Sequence, residues 1–600
     1  MKKQILCVPF DPVHDVGIKI IKAELDSRGH NTKLLSPDLA PELIVKEAAS
    51  VKYDFIMVSR TLGYGVAELL ARFIDMLDSA GVRDYAKIII GGKPITPELA
   101  AELGFDKGFG EHSSVEEVIA YIEGREYISG GGGLNRVKKD ITAGYDYTFH
   151  DSEIQTLLEI IAEKSIAWAK GKTSPGIKRA RLRREIARNE GAAGEQFRKE
   201  YLLLCDTEIA ESNRGRYIKG VRPVSREELH WLGKFTNERK PVYPAKIQHH
   251  DKHPLFFKFL GSGCPVMDLA HAKICERYGV DGFLIINPSW EARYEGLIEG
   301  CLTHENDGTI TSLKNIELMR NSLDKGTLLS VRAHRGLNTP ETVELAGLAG
   351  ADLVKINLVY GSLGAGTDPV RLLIDGIEAM KTAAGYGLPF DIPGNDELSG
   401  VPSWKTLAGL LINVMMGKKL GAKGILKPLF CYGPHIVING LMKQNFVDYN
   451  AAKIYTLRKL VSAPVWPGEP VAFMTQSEER VQSATATGTH AALASGLGAD
   501  AVTIASTDEA YSRGPICVTS RIDSIRAAAE SLRFMGNASY QPTKQADIYS
   551  EMMTEKIRET LRLAASADHL ADAISKGYLG SQEDGAYPGT FGSGTVTASE

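Results

Sequence analysis

Three short stretches near the start of the chain carry side chains able to hold a metal or a bulky polar ligand. They are Asp11-Pro12-Val13-His14-Asp15-Val16-Gly17, Ser59-Arg60-Thr61-Leu62-Gly63-Tyr64-Gly65 and Gly91-Gly92-Lys93-Pro94. A loop histidine offers a neutral imidazole nitrogen to a metal. A nearby carboxylate, here Asp11 or Asp15, can hold its second nitrogen and tune it. Gly17, Ser59, Thr61, Gly63, Gly91 and Gly92 are small enough to let a large ligand lie against backbone. Singly, each has a bland reading: a loop histidine is usually solvated, and Gly-Gly after a strand is usually a turn.

The elements around these stretches give them a common place. Apolar runs at Ile5–Val8, Asp54–Val58 and Lys87–Ile90 alternate with amphipathic segments at Val16–Arg28, Ala67–Ala80 and Ser114–Ile122. That alternation predicts a doubly wound, flavodoxin-like parallel sheet. Each stretch directly follows a strand, where open α/β sheets bind ligands.

A second series of chemical residues follows a second rhythm. Strands are expected at Leu255–Leu260, Gly282–Ile286, Leu328–Ala333, Leu353–Leu358, Pro389–Ile392, Gly424–Leu429, Val471–Met474 and Ala501–Ile504, each followed by a helical segment. Eight such units predict a (β/α)8 barrel, a TIM barrel, with its active site at the carboxyl ends of the strands. Those ends carry Arg293, Arg332 with His334 and Arg335, Asn357 with Tyr360, Asp391 to Asp396, Lys427, Gln476 and Glu509. Several arginines at one barrel mouth point to paired recognition of a carboxylate or phosphate. Arg332, Arg335 and Glu509 are the catalytic candidates; Arg293, His334, Asn357, Tyr360 and Gln476 are the substrate-binding ones. Rim salt bridges are the competing reading, and Asp391 and Glu509 can equally be structural carboxylates.

The whole chain sets limits. It has 600 residues, a formal net charge of -4 and 43% hydrophobic residues, so several domains are expected and nucleic acid is not an expected partner. The expected division is a ligand-binding domain over 1–125, a helical connector over 126–245 opening on the Gly130–Gly133 linker, the barrel over 246–540, and a helical extension with a mobile Gly/Ser/Thr-rich tail over 541–600. The basic run Lys178 to Arg188 reads as a solvated helix or a subunit contact. No apolar run is long enough for a membrane span. Seven scattered cysteines without a CxxC pair point to reduced thiols in the cytoplasm.

The first domain resembles the B12-binding modules of cobalamin-dependent mutases and methyltransferases, marked by DxHxxG, SxL and GG. His14-Asp15-Val16-Gly17 matches HxxG, Ser59-Arg60-Thr61 matches SxL with Thr61 for the leucine, and Gly91-Gly92 matches GG. Gly104-Phe105-Asp106 echoes a later piece. The resemblance implies His14 as lower cobalt ligand, replacing the cofactor's benzimidazole, which enters a pocket beside the sheet. Pro12 stands where the family has its aspartate, and Asp11 is one residue further back. The barrel resembles the catalytic subunit of glutamate mutase (methylaspartate mutase), notably at Val331 to Gly336 with Thr339-Pro340-Glu341, and from Ala484 to Ala494. Arg293 falls near a second substrate arginine of that family, and Glu509 is retained. Ser262 and Ala505 stand where it has an arginine and a lysine.

The resemblance implies an adenosylcobalamin-dependent radical isomerase acting on a small acidic substrate, the cobalamin lying between the two domains, within one chain or across a homodimer. A corrinoid methyltransferase is the alternative, as is a non-catalytic cobalamin carrier. With the module opening at residue 4 and no helical cap before it, the barrel is expected to cover the cofactor, which favours the mutase. An aminomutase that also uses pyridoxal phosphate is a variant whose Schiff-base lysine the sequence does not single out.

Overall fold

The computed structural model describes residues 2–11, 15–61, 66–110, 113–127, 138–213, 225–237, 254–260, 265–285, 312–333, 337–430, 446–468, 480–504 and 518–599. The described residues up to Tyr127 form one compact unit and those from Lys138 onward form another.

The first unit is a five-stranded parallel sheet. Its strands are β1 (Gln4–Pro9), β2 (Asn31–Leu34), β3 (Phe55–Ser59), β4 (Lys87–Gly91) and β5 (Lys107–Phe109), in the order β2-β1-β3-β4-β5. Side chains alternate across the sheet. Leu6, Val8, Ile56, Val58, Ile88 and Ile90 pack on one face with Ile44, Leu70, Phe73 and Leu77 of the helices Pro41–Ser50 and Val66–Ser79. Ile5, Cys7, Phe55, Met57 and Ile89 pack on the other with Ile18, Leu25, Val118 and Ile122 of the helices Val16–Ser27 and Val115–Glu123. Both faces are covered, which is why the inner strands read as unbroken apolar runs.

The second unit opens with helices Ser152–Ala169, Pro175–Arg188, Gly191–Asn213 and Arg226–Asn237, and with the two-residue β6 (Lys172–Thr173). Its centre is a curled parallel sheet of β7 (Leu255–Leu260), β8 (Gly282–Ile285), β9 (Leu328–Arg332), β10 (Leu353–Lys355), β11 (Phe390–Pro393), β12 (Gly424–Lys427) and β13 (Ala501–Ile504), in the order β12-β11-β10-β9-β8-β7-β13. These match seven of the eight expected strands. The eighth, Val471–Met474, lies outside the described residues. The segment 464–468 makes backbone bonds to both edge strands. Trp466 N donates to Leu426 O at 2.8 Å, Asp500 N to Val465 O at 2.9 Å and Thr503 N to Pro467 O at 3.0 Å. Inward residues Leu255, Phe257, Leu284, Leu328, Leu353, Ile425, Trp466 and Ala501 form one apolar cluster. A larger one outside the sheet joins Phe283, Leu329, Val354 and Leu426 to the surrounding helices, including Ile154 and Leu158 of the connector.

Two expectations are corrected here. The basic run is only partly solvated: Lys178, Arg181 and Arg188 are exposed, but Arg179 is fully buried, bonded to Glu208 and to Glu341, Arg183 pairs with Glu341 at 2.8 Å, and Arg184 with Glu344 at 2.5 Å. Arg371 completes this network with Glu208 and, at 2.6 Å, Asp375. The carboxylates neutralise the guanidinium groups, so burial is tolerable. Nor is the tail mobile: β14 (Thr597–Ala598) pairs antiparallel with β6, Asp368 N donates to Phe591 O at 3.0 Å, and Arg371 donates to Thr595 Oγ1 at 2.7 Å. A Cβ on Gly589 would overlap the Gly366 backbone, so this glycine is required by close approach. Among the described residues no helix is long and apolar enough to cross a membrane, and Cys7 and Cys205 are buried free thiols.

Candidate functional site

In the first unit the loops after β1, β3 and β4 meet at one sheet edge. The strand order changes direction between β1 and β3, and such a switch point leaves a crevice beyond the strand ends. Asp11, fully buried after β1, ion-pairs with Arg60 at 3.2 Å and accepts the Thr61 N–H at 2.5 Å. Arg60 also donates to Phe10 O at 3.0 Å. Asp11 therefore ties the first loop to the second. Ser59 closes β3 in register with Pro9 and Gly91. Gly92 holds a φ of +148°, and a Cβ there would overlap the Arg60 carbonyl oxygen. Its smallness is used by backbone packing, which locks the third loop to the second.

Gly17 behaves differently. It lies in the first turn of the helix Val16–Ser27, and a Cβ on it would meet nothing within 4 Å. Around it Val16 is 70% exposed and Ile20 50% exposed. An open space floored by glycine and edged by apolar side chains fits a large flat ligand. Asp15 pairs with Lys19 at 2.5 Å. His14 and Gly63 lie outside the described residues.

In the second unit inward positions at or near the ends of neighbouring strands carry charge. Lys355 is in register with Arg332 of β9 and with Asp391 of β11. Lys427 of β12 donates to Asp391 Oδ2 at 3.1 Å and sits 4.2 Å from the Trp466 ring centre. Lys355 Nζ is 3.9 Å from the same oxygen and 5.2 Å from the Phe259 ring centre. Lys355, Lys427 and Asp391 are each at most 2% exposed. Burial, then the Lys427 charge, push the Lys355 amine well below the ordinary lysine range, against the pull of Asp391. Burial also lowers Lys427, but Asp391 and the contact with Lys355 oppose it. Asp391 Oδ1, Ser330 Oγ, Thr503 Oγ1 and Trp466 Nε1 are buried without a hydrogen-bond partner.

Of the barrel candidates, Arg332 is buried beside this layer and lowers the proton affinity of both lysines. Asn357 lies past the end of β10 with its amide engaged by the protein: Nδ2 donates to Pro393 O at 2.5 Å, and Oδ1 accepts from Val359 N at 2.8 Å and Tyr360 N at 3.0 Å. Tyr360 is buried at the start of the short helix Tyr360–Leu363. Arg293, His334, Arg335, Gln476 and Glu509 lie outside the described residues. Lys355 is not among the residues expected from sequence, because it lies inside an apolar strand and not in the loop after it; its place as the second inward residue, after Leu353, was the available signal.

Residues 3–120 match the family model described as "B12 binding domain". The first unit carries a B12-binding domain. The chain is 31% identical over 120 residues to the beta subunit of lysine 5,6-aminomutase from Fusobacterium nucleatum, covering 18% of this chain and 46% of that protein. It is 30% identical over 94 residues to the dimethylamine corrinoid protein of Methanosarcina barkeri, covering 16% and 44%. The chain thus spans less than half the length of these two curated relatives. The solved monomethylamine corrinoid protein of Methanosarcina barkeri aligns over 20% of this chain and 57% of its own, at 22% identity and a TM-score of 0.18.

Proposed function

We propose that the chain is a cobalamin-dependent isomerase, a mutase or aminomutase that rearranges a small carboxylic or amino acid. The observation that carries this reading is the joining, in one chain, of a B12-binding domain to a second α/β unit whose inward strand ends hold buried cations. The similarity to an aminomutase subunit supports it. Adenosylcobalamin, when bound, would supply a cobalt–carbon bond that breaks to give radicals. His14 would be its cobalt ligand, Gly17 would floor its seat, and Asp11 with Gly92 would keep the three loops in place. Arg332 would fix a substrate carboxylate, with Arg335 and Arg293 as further candidates. The bonds of 464–468 to β12 and β13 support closure of the sheet into a (β/α)8 barrel.

The similarity to corrinoid proteins favours one other reading, methyl transfer. One experiment separates the two. The chain is reconstituted with adenosylcobalamin and screened by electron paramagnetic resonance against glutamate, 2-methyleneglutarate and small diamino acids. A substrate-dependent radical signal is expected. Silence with every substrate, together with methyl transfer from bound methylcobalamin, would replace the isomerase by a methyltransferase.

A further inference from the structure

We infer that Lys355 is an amine nucleophile, and that the inward layer of the second unit takes a small carbonyl compound, of the 2-oxo acid class, as an imine on this lysine. The inference stands on the arrangement of four strands and does not rest on the cobalamin reading.

The buried layer brings two lysines to one carboxylate. Asp391 Oδ2 lies 3.1 Å from Lys427 and 3.9 Å from Lys355. The Trp466 ring face adds to the attraction at Lys427. The Lys427 charge weakens proton binding at Lys355, whereas Asp391 strengthens it at Lys427. Such a coupled pair sheds its first proton easily, and the geometry assigns that loss to Lys355. A lysine desolvated beside another cation is the usual form of an amine nucleophile. Arg332, in register one strand away, supplies a guanidinium for the carboxylate of a 2-oxo acid. Asp391 Oδ1, on the carboxylate beside both lysines, is a buried unpartnered acceptor that a polar ligand would satisfy.

The chemistry balances within the site. The Lys355 lone pair bonds to the carbonyl carbon, and a proton passes from nitrogen to oxygen to give a carbinolamine. Lys427 protonates the hydroxyl, which leaves as water while the nitrogen lone pair forms the C=N bond. The iminium returns its proton to Lys427. Amine and carbonyl have become imine and water.

The test uses the full-length chain without cobalamin. Pyruvate, glyoxylate or pyridoxal 5′-phosphate is added near neutral pH, borohydride is added, and labelled lysines are mapped by peptide mass spectrometry. The expected result is a reduced adduct on Lys355, with a labelled fraction at least about tenfold above the average of the other lysines, the ratio for one unit of depressed pKa. Lys355→Arg removes that adduct; Lys427→Gln leaves it on Lys355 but slows its formation. Wild-type mapping alone is decisive if a variant fails to fold. Adducts on surface lysines with none on Lys355 for all three probes overturn the inference, as does preferential labelling of Lys427.

Discussion

Around Arg371, guanidinium groups and carboxylates are matched one to one, whereas the inward layer of the parallel sheet sets both Lys355 and Lys427 beside one oxygen of Asp391. Both clusters are buried in the same unit. In the first, Arg179, Arg183 and Arg371 face Glu208, Glu341 and Asp375, with Tyr201 donating to Glu341 and Ser174 to Asp375. It holds the connector helices to the helices that follow β9 and β10. In the second, a carboxylate oxygen is left without a partner and one amine is driven toward neutrality. A balanced cluster is already complete. The second cluster keeps an unsatisfied carboxylate oxygen that a ligand could fill, and that contrast tells the two clusters apart more sharply than burial does.

The largest expected effect is on the balanced cluster. Arg371→Ala leaves Asp375 and Glu208 short of a cation in a dry interior, and breaking such a pair costs about 3–5 kcal/mol. Urea unfolding should show that loss, while Lys355→Met, which removes only a poorly held amine, should leave the midpoint nearly unchanged. Equal losses from both variants would erase the distinction. The two glycines of the first unit make a similar contrast. Gly92→Ala forces the loops after β3 and β4 apart, and overpacking of this kind costs about 1–3 kcal/mol; cobalamin binding should fall with stability.

Next in size is a pH effect at Asp396, a buried acid after β11. Burial, with the neighbouring Glu397 adding to it, pushes its carboxyl up to about 7. The folded state therefore binds the proton more tightly than the unfolded chain. Its contribution to stability declines as pH rises from about 4 to about 7 and is level above that. Asp396→Asn should gain on the wild type by up to about 1.4 kcal/mol per pH unit across that window. A pH-independent difference in unfolding free energy between the two proteins would show that Asp396 does not titrate there. The smallest effect on folding is expected at Gly17→Ala: with open space above it, alanine should stabilise the helix by at most about 1 kcal/mol. It should still weaken cobalamin binding, read by absorbance titration, if the corrin lies there. Unchanged affinity would move the cofactor elsewhere.

Much of this architecture was legible because burial on both faces writes itself as apolar runs. β1, β3 and β4 were read correctly for that reason. β2 and β5 were not: Asn31–Leu34 is a half-exposed edge strand and Lys107–Phe109 is three residues long. The segment 464–468 was passed over because Pro464, Pro467 and Gly468 are ordinary strand breakers, tolerable where a backbone donor is not needed. Long-range compensation was the other blind spot. Arg179 and Arg183 read as surface charge because Glu341 lies 162 and 158 residues away. The glycine-rich tail read as mobile although its small residues are what let it lie against Gly366. At the edge of the first sheet, the strands ahead of the three stretches were legible, but the difference between their glycines was not: Gly92 packs against backbone and Gly17 has open space above it.

The docking of the tail beside β6 has a consequence for how the molecule forms. The ends of the second unit are stitched together, Lys164 to Ala565 across 401 residues and β14 to β6 beyond that. Every such contact closes a loop that contains the whole parallel sheet, and closing it costs entropy before packing repays the loss. The first unit, with neighbouring strands linked by short connections, faces no such delay. The edge of its sheet that would hold cobalamin should therefore be formed while the second unit is still searching, so that loading of the cofactor and completion of the second unit are separable in time. For the same reason the joined ends make the second unit a natural candidate for circular permutation, with new termini placed in an exposed loop.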